Sequence, residues 1–253
     1  MVTDYNHGNV AKQYEKSKAM PVRSRIEAYS FLKRIGDVRG QKVVDIACGA
    51  GDYTRMLCRA GASPVVGLDI SEKMIALARE SEAREPLGIE YLVADARMTS
   101  LQRDFDIGVA AYLLVYARDR DELARMCRGL ACWIRPGGRL VTLTTNPALY
   151  EFEQIPDYRK YGFQIRLDET VHEGAPIELT AFLGDDSLVI QNYYLPIEAY
   201  EEALRDAGFR NVEIHMPELS PGPESADEGG YWNDYLNYPP AIVIECVRSS
   251  RGW

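Results

Sequence analysis

Basic residues are in short supply. Lysine and arginine total 29 against 38 acids, a formal charge of −9, and the sequence isoelectric point is near 5.0. No basic cluster interrupts that deficit, so the cationic footprint that nucleic-acid binding requires is missing. Cysteine is sparse and odd in number, with five residues at 48, 58, 127, 132 and 246. No Cys-x-x-Cys occurs, which excludes the usual redox and zinc spacings. The thiols read as buried groups in a reducing compartment, and no metal is expected. Long apolar runs are lacking too. The longest, near Val109–Ala117, is too short to span a bilayer. The opening Met1-Val2-Thr3-Asp4-Tyr5-Asn6-His7 has no charged segment leading into an apolar one, so no signal peptide is expected. The expectation is a soluble cytoplasmic protein whose partners are neither nucleic acid nor membrane.

What is present centres on one stretch. Val43-Val44-Asp45-Ile46-Ala47-Cys48-Gly49-Ala50-Gly51 and, downstream, Val65-Val66-Gly67-Leu68-Asp69 read as strand, glycine turn, helix, and strand ending in a carboxylate. That is the opening unit of a nucleotide-type α/β fold. Gly49 and Gly51 permit a tight turn and leave room for a ligand against the backbone. Asp69 falls where such folds place an acid to accept hydrogen bonds from ribose hydroxyls. A dinucleotide site wants a third glycine and amides facing a pyrophosphate. Here the pattern is Gly49-x-Gly51-x-x-Thr54, and Asp45 before the turn would crowd a diphosphate while suiting a cationic amino acid. S-adenosylmethionine, with its ammonium, sulfonium and ribose diol, suits the motif better. An NAD-binding oxidoreductase remains the rival.

The 253 residues suit a single α/β domain with an insertion. Residues 1–36 read as a helical N-terminal arm, with Val22, Ile26, Tyr29, Leu32 and Ile35 at helical spacing and Gly36 ending it. Tyr14 and Arg25 on that arm either cover the cofactor or anchor the arm to the body. Ser71 is a good N-cap for the helix after Asp69, and Met74 in it either touches an adenine or belongs to the core. A third strand, Ile89–Val93, runs into Ala94-Asp95-Ala96, where the carboxylate can accept from an exocyclic amine or simply close a turn. A doubly apolar fourth strand within Phe105–Ala117 is buried on both faces, as parallel sheets require. The helix Asp119–Ile134, a Pro136-Gly137-Gly138 turn and the strand Arg139–Thr145 complete the alternation of a doubly wound, Rossmann-like sheet.

Strict alternation then replaces it. Residues 161–168, Ile177–Leu183 and Ser187–Leu195 around Gly184-Asp185-Asp186 predict a small antiparallel insertion, residues 148–195, placed as a substrate lid at the ligand edge. A helix opening at Pro196, strand six at Val212–Ile214 and strand seven at Ala241–Val247 close a seven-stranded sheet. Between the last two strands, residues 217–240 carry Tyr231, Trp232, Tyr235 and Tyr238, which either suit a flat substrate or pack on the surface.

With these residues in place the chain resembles, from end to end, the class I S-adenosylmethionine-dependent methyltransferases. Arg23-Ser24-Arg25-Ile26-Glu27-Ala28-Tyr29, Ala47-Cys48-Gly49-Ala50-Gly51-Asp52-Tyr53-Thr54-Arg55, Pro86-Leu87-Gly88-Ile89-Glu90-Tyr91 and Ala111-Tyr112-Leu113-Leu114 are similar to the toxoflavin-synthase-like small-molecule methylases. That resemblance implies the class I fold, S-adenosylmethionine as cofactor, and N-methylation of a planar nitrogen heterocycle in secondary metabolism. O-methylation of a small acid is the runner-up. It departs from the family at Ala47, where the general pattern has a glycine. The Asp/Asn-Pro-Pro-Tyr motif of amino-group methylases is absent, and Asn237-Tyr238-Pro239-Pro240 is scrambled and misplaced. The implied cofactor set is Tyr14, Arg25, Asp45, Ala47, Cys48, Gly49, Gly51, Asp69, Ile70, Met74, Asp95, Ala96 and Ala111.

Methyl transfer is an in-line displacement dominated by alignment and desolvation, and a base is needed only when the acceptor atom must lose a proton. His172 and His215 are the histidines placed to reach the ligand edge, though lone histidines are more often structural. Tyr112, Tyr116, Tyr193, Tyr194, Trp232 and Tyr235 are the candidate substrate contacts. An aminopropyl transferase would need extra acids, which the neutral Ala110-Ala111-Tyr112-Leu113 run lacks. A non-enzymatic cofactor-binding module is the third rival.

Overall fold

The apolar runs form strands where they were expected, and helices connect them in a computed structural model that describes residues 5–6, 8–98, 104–222 and 229–250. After helix α1 (Gly8–Ser17) and α2 (Tyr29–Ile35) come β1 (Val43–Ile46), α3 (Asp52–Arg59), β2 (Val65–Asp69), α4 (Glu72–Arg84), β3 (Glu90–Val93), β4 (Phe105–Ala111), α5 (Arg120–Trp133) and β5 (Ile134–Thr145). A small sheet of β6 (Phe163–Leu167), β7 (Pro176–Leu183) and β8 (Asp186–Tyr193) follows, then α6 (Ile197–Asp206), β9 (Phe209–His215), α7 (Asn233–Asn237) and β10 (Ala241–Arg248).

The large sheet runs β3-β2-β1-β4-β5-β10-β9. Its first five strands are mutually parallel, and only β10 runs antiparallel to both neighbours. Strand order reverses direction between β1 and β4, so a crevice opens beyond their carboxyl ends, where open α/β sheets bind ligands. Because β9 is parallel to β5, the segment after β9 also leaves from that edge. One apolar core lies between the sheet and α5 and α6, including Leu123, Leu130, Tyr200 and Leu204. A second lies on the opposite face, with Phe31, Ile35, Leu57 and Ile75 from α2, α3 and α4.

Local signals account for the boundaries. Ser71 Oγ accepts from the Met74 amide at 3.2 Å and starts α4, and Asp119 Oδ1 accepts from the Glu122 amide at 2.7 Å and starts α5, each satisfying an orphan N–H of a first turn. Two expectations shift. The Pro136-Gly137-Gly138 turn does not precede β5. The strand starts at Ile134, and the glycines form an irregularity within it, between the pairs Phe105–Ile134 and Ile107–Arg139. The N-terminal arm is not a plain α-helix, because Arg23–Ala28 is a π-helical segment. Its wider turn sets residues four apart nearly one above the other, and such segments gather at functional sites.

A third core joins three separate stretches of the chain. Val22 and Ile26 from the arm, Phe163, Ile165 and Ile177 from the small sheet, and Trp232 and Tyr235 from the last crossover pack together. The small sheet is thereby clamped over the carboxyl edge of the large one. Its inward positions in β8 are Leu188, Ile190 and Asn192, which alternate with outward ones as the pleat demands.

Candidate active site

At the switch point the glycine turn rises from β1. Gly49 has φ +55° and Gly51 +88°. A Cβ on Gly49 would stand 3.9 Å from the nearest atom, Tyr14 Cε1, and would project into the cavity above, whereas one on Gly51 would collide with the Tyr91 ring. One glycine therefore clears space for a ligand and the other for packing. Ala47, standing where the family pattern has glycine, itself holds φ +63°. A left-handed alanine is strained by about 1–2 kcal/mol, while glycine loses about 0.5–1 kcal/mol in chain entropy. Ala47→Gly should therefore change stability by between zero and about 1.5 kcal/mol, in the stabilising direction. A chemical-denaturation midpoint that drops would contradict that.

The cavity beyond this turn has a volume of about 340 Å³. Asp69 stands in its wall at the end of β2. Its Oδ2 accepts from the Gly49 amide at 2.9 Å and its Oδ1 from the Ser71 amide at 2.8 Å, so each oxygen keeps a lone pair for a further donor. Burial raises its pKa, opposed by those same amides. Ile70, 59% exposed, adds an apolar surface beside it. Asp95, after β3, also lines the cavity, but Arg97 grips both its oxygens at 2.6–3.0 Å. That hydrogen bonding holds Asp95 below the ordinary carboxylate range. A rim of tyrosines completes this end. The Tyr5 and Tyr116 hydroxyls are 2.6 Å apart, and Tyr14 meets Tyr5 edge to face at 5.3 Å.

The opposite wall is built from β4 and the small sheet. Tyr112, at the end of β4, holds φ +58°, a costly conformation for a bulky residue and one that concentrates at functional sites. Its amide donates to the Leu143 carbonyl at 2.7 Å. The Arg23 guanidinium lies 5.0 Å from its ring centroid, and Arg23 Nη1 donates to Glu27 at 2.6 Å. Burial, aided by the Glu27 charge, pushes the Tyr112 phenol up. Leu179, Ile190 and Asn192 descend from β7 and β8.

Of the residues singled out from the sequence, Tyr14, Ala47, Gly49, Asp69, Ile70, Met74, Asp95, Ala96, Ala111, Tyr112 and Tyr116 line this cavity. The others are placed elsewhere. Asp45 is 1% exposed beneath the turn, where Thr54 donates to its Oδ2 at 2.6 Å. Burial raises Asp45 to about 7. The same bond shows what Thr54 does in place of a third glycine. Cys48 is buried in the second core. The Arg25 side chain lies against Gly222. The His172 Nδ1 is 2.9 Å from the Glu173 carbonyl on an exposed loop, and His215 Nε2 lies 3.7 Å from both Glu213 and Glu245. Tyr193 points outward in the register of β8, and Tyr194 packs on Tyr150 at 4.8 Å. Trp232 stacks on Tyr161 at 5.2 Å, and the Tyr235 hydroxyl donates to Glu27 at 3.0 Å. The crossover aromatics thus join the third core rather than line the cavity.

Sequence reasoning passed over Tyr5, Arg23, Leu179, Ile190 and Asn192. Asn192 carried a signal, being a polar residue at an inward position of an otherwise apolar strand face. Arg23 was hidden by the π-helical segment, which a 3.6-residue period does not anticipate.

The fit to S-adenosylmethionine is good. A glycine clears the backbone, a carboxylate with open lone pairs stands beside an apolar surface, and tyrosine rings gather where a sulfonium would be stabilised by π faces. Residues 43–138 match the family described as a methyltransferase domain. The fold is that of the class I S-adenosylmethionine-dependent methyltransferases, to which the chain is similar. It is similar to N-demethylindolmycin N-methyltransferase of Streptomyces griseus, 27% identical over 85% of this chain and 87% of that protein. Ubiquinone biosynthesis O-methyltransferase of Pseudomonas aeruginosa is 31% identical over 50% of this chain, which there spans about half of the relative's length, 54%. Among solved structures, the CcbJ methyltransferase of Streptomyces caelestis superposes with TM-score 0.64 at 18% identity, covering 96% of each chain. Magnesium protoporphyrin IX methyltransferase of Synechocystis PCC 6803 with bound SAH gives 0.58 at 18% identity, covering 97% of each chain. Those two likenesses show the fold. Among the described residues no helix is long and apolar enough to cross a membrane.

Proposed function

We propose that this enzyme methylates a ring nitrogen of a small, planar nitrogen heterocycle, in the cytoplasm and as part of secondary metabolism. Bound S-adenosylmethionine supplies an electrophilic methyl group. On this reading Asp69 holds the ribose hydroxyls, Ile70 and Met74 flank the adenine, and the small sheet covers the acceptor. The observation that carries the reading is the composition of the acceptor end of the cavity. Tyr112, Leu179 and Ile190 make flat and apolar walls there, which suit a stacked ring. His172 and His215 both lie outside it. A ring nitrogen with a lone pair needs no base, whereas a hydroxyl or N–H acceptor benefits from one. The relative from Streptomyces griseus, named for N-methyl transfer, supports nitrogen over oxygen.

Two measurements test this. Transfer of a labelled methyl group to azapteridines, compared with small carboxylic acids, should favour the heterocycles, and the product should carry an N-methyl resonance. His172→Ala and His215→Ala should each leave turnover within about tenfold, far from the roughly hundredfold to ten-thousandfold loss on removing a general base. A larger loss with recovery at high pH would point to an O–H or N–H acceptor.

A further inference from the structure

Beside the main cavity lies a second one of about 20 Å³, room for one small group rather than a ring. Arg23, Tyr112, Leu179 and Asn192 line both cavities and so form the neck between them. Asn192 is 5% exposed. Its Nδ2 donates to Thr145 Oγ1 at 3.2 Å, while its buried Oδ1 has no partner among the described residues. Buried polar atoms in folded proteins are nearly always paired, and one that is not calls for an explanation. An amide kept only to brace Thr145 would be paired at both ends or replaced by an apolar side chain like Leu188 and Ile190, its inward neighbours on β8. The Arg23 guanidinium spends Nη1 on Glu27 and makes no other hydrogen bond among the described residues. Its five N–H donors in a planar fork exceed what that one bond uses.

The neck therefore presents one unpaired acceptor and a cation with donors to spare, beneath the aromatic wall of Tyr112. We propose that it is the specificity site of the acceptor pocket. It reads a lactam-type edge of the heterocycle, with the substrate N–H donating to Asn192 Oδ1 and the adjacent carbonyl or ring nitrogen accepting from Arg23. This rests on the flat heterocycle as acceptor and adds which heterocycles are chosen. A site built to pair a polar edge discriminates strongly against analogues that lack it, because its own groups are then left buried and unpaired. Asn192 is a specificity residue here and takes no part in the methyl transfer itself.

The test uses the full chain with S-adenosylhomocysteine present and two probes of the same shape. Quinazolin-4-one has the N–H and carbonyl edge, and quinazoline has ring nitrogens alone. Calorimetry on the native protein should show the lactam binding about tenfold or more tighter, the size of one lost hydrogen bond in a buried site. Asn192→Leu should erase that preference, and its melting temperature should fall by no more than the loss of the single Nδ2–Thr145 hydrogen bond implies, since the replaced oxygen has no partner to lose. Asn192→Ala serves the same purpose if leucine prevents folding. No preference in the native protein, or a preference that survives in the variants, overturns the inference while leaving the heterocycle reading intact. A lower melting temperature with the preference unchanged assigns Asn192 a structural role and overturns it as well. If neither probe binds to protein that holds S-adenosylhomocysteine, the heterocycle reading fails, and the neck assignment fails with it.

Discussion

Asp69→Ala should weaken S-adenosylmethionine binding by roughly tenfold to a hundredfold, corresponding to about 1.5–3 kcal/mol of charge-assisted hydrogen bonding. The carboxylate already satisfies the Gly49 and Ser71 amides, so its loss also releases the glycine turn from β2. The variant thus removes the groups that would hold a ribose and the brace that shapes the turn. Asp69→Asn loses the charge and keeps an acceptor for one of the two amides, and its affinity should fall between alanine and the native protein. Calorimetric titration of the three proteins decides the matter. Unchanged affinity in Asp69→Ala would remove Asp69 from the cofactor site, and tight NADH binding by the native protein would overturn the cofactor itself.

Asp45 should make the stability of the fold depend on pH in the opposite sense to most carboxylates. Its folded pKa is raised to about 7 by burial, with the Asp69 charge adding to the shift and the Thr54 hydrogen bond opposing it. The unfolded chain releases the proton near the ordinary value of about 3.9. Between those values the folded protein holds a proton that the unfolded chain has lost, so stability falls as pH rises from about 4 to about 7 and is level above that. At about 1.36 kcal/mol per unit, the penalty reaches on the order of 4 kcal/mol. Asp45→Asn keeps an acceptor for Thr54 and cannot ionise. The stability difference between variant and native protein should therefore grow in the variant's favour across that window and stay flat above it. Urea denaturation from pH 4.5 to 8.5 measures this difference directly, independent of other carboxylates such as Glu122, which Arg118 holds down at about 2. Parallel stability curves would show that Asp45 ionises normally.

Much of this was legible in the residues themselves. The hydrophobic periods, the caps at Ser71 and Asp119 and the glycine turn mark short-range events, each decided within a few residues of the chain. They located the strands, α4 and α5, the turn and the acid at the end of β2, and with them one end of the cavity. Strict alternation likewise showed the small antiparallel sheet. The end beneath the small sheet was harder to read because it is assembled from distant segments. Tyr193 and Asn192 are adjacent, and only the register of β8 against β7 decides which one faces inward. A one-residue slip exchanges the two faces. Arg23 and Arg25 are equally plausible until the π-helical segment turns one toward the cavity and leaves the other beside Gly222. Trp232 and Tyr235 looked available for a substrate, yet Trp232 stacks on Tyr161 and Tyr235 meets Phe163 edge to face within the third core. Local backbone preference and apolar period dictate the sheet, the glycine turn and the acid beside it. Which side chains wall the far end of the cavity depends instead on register, on one widened helical turn and on competition between packing partners far apart in the chain.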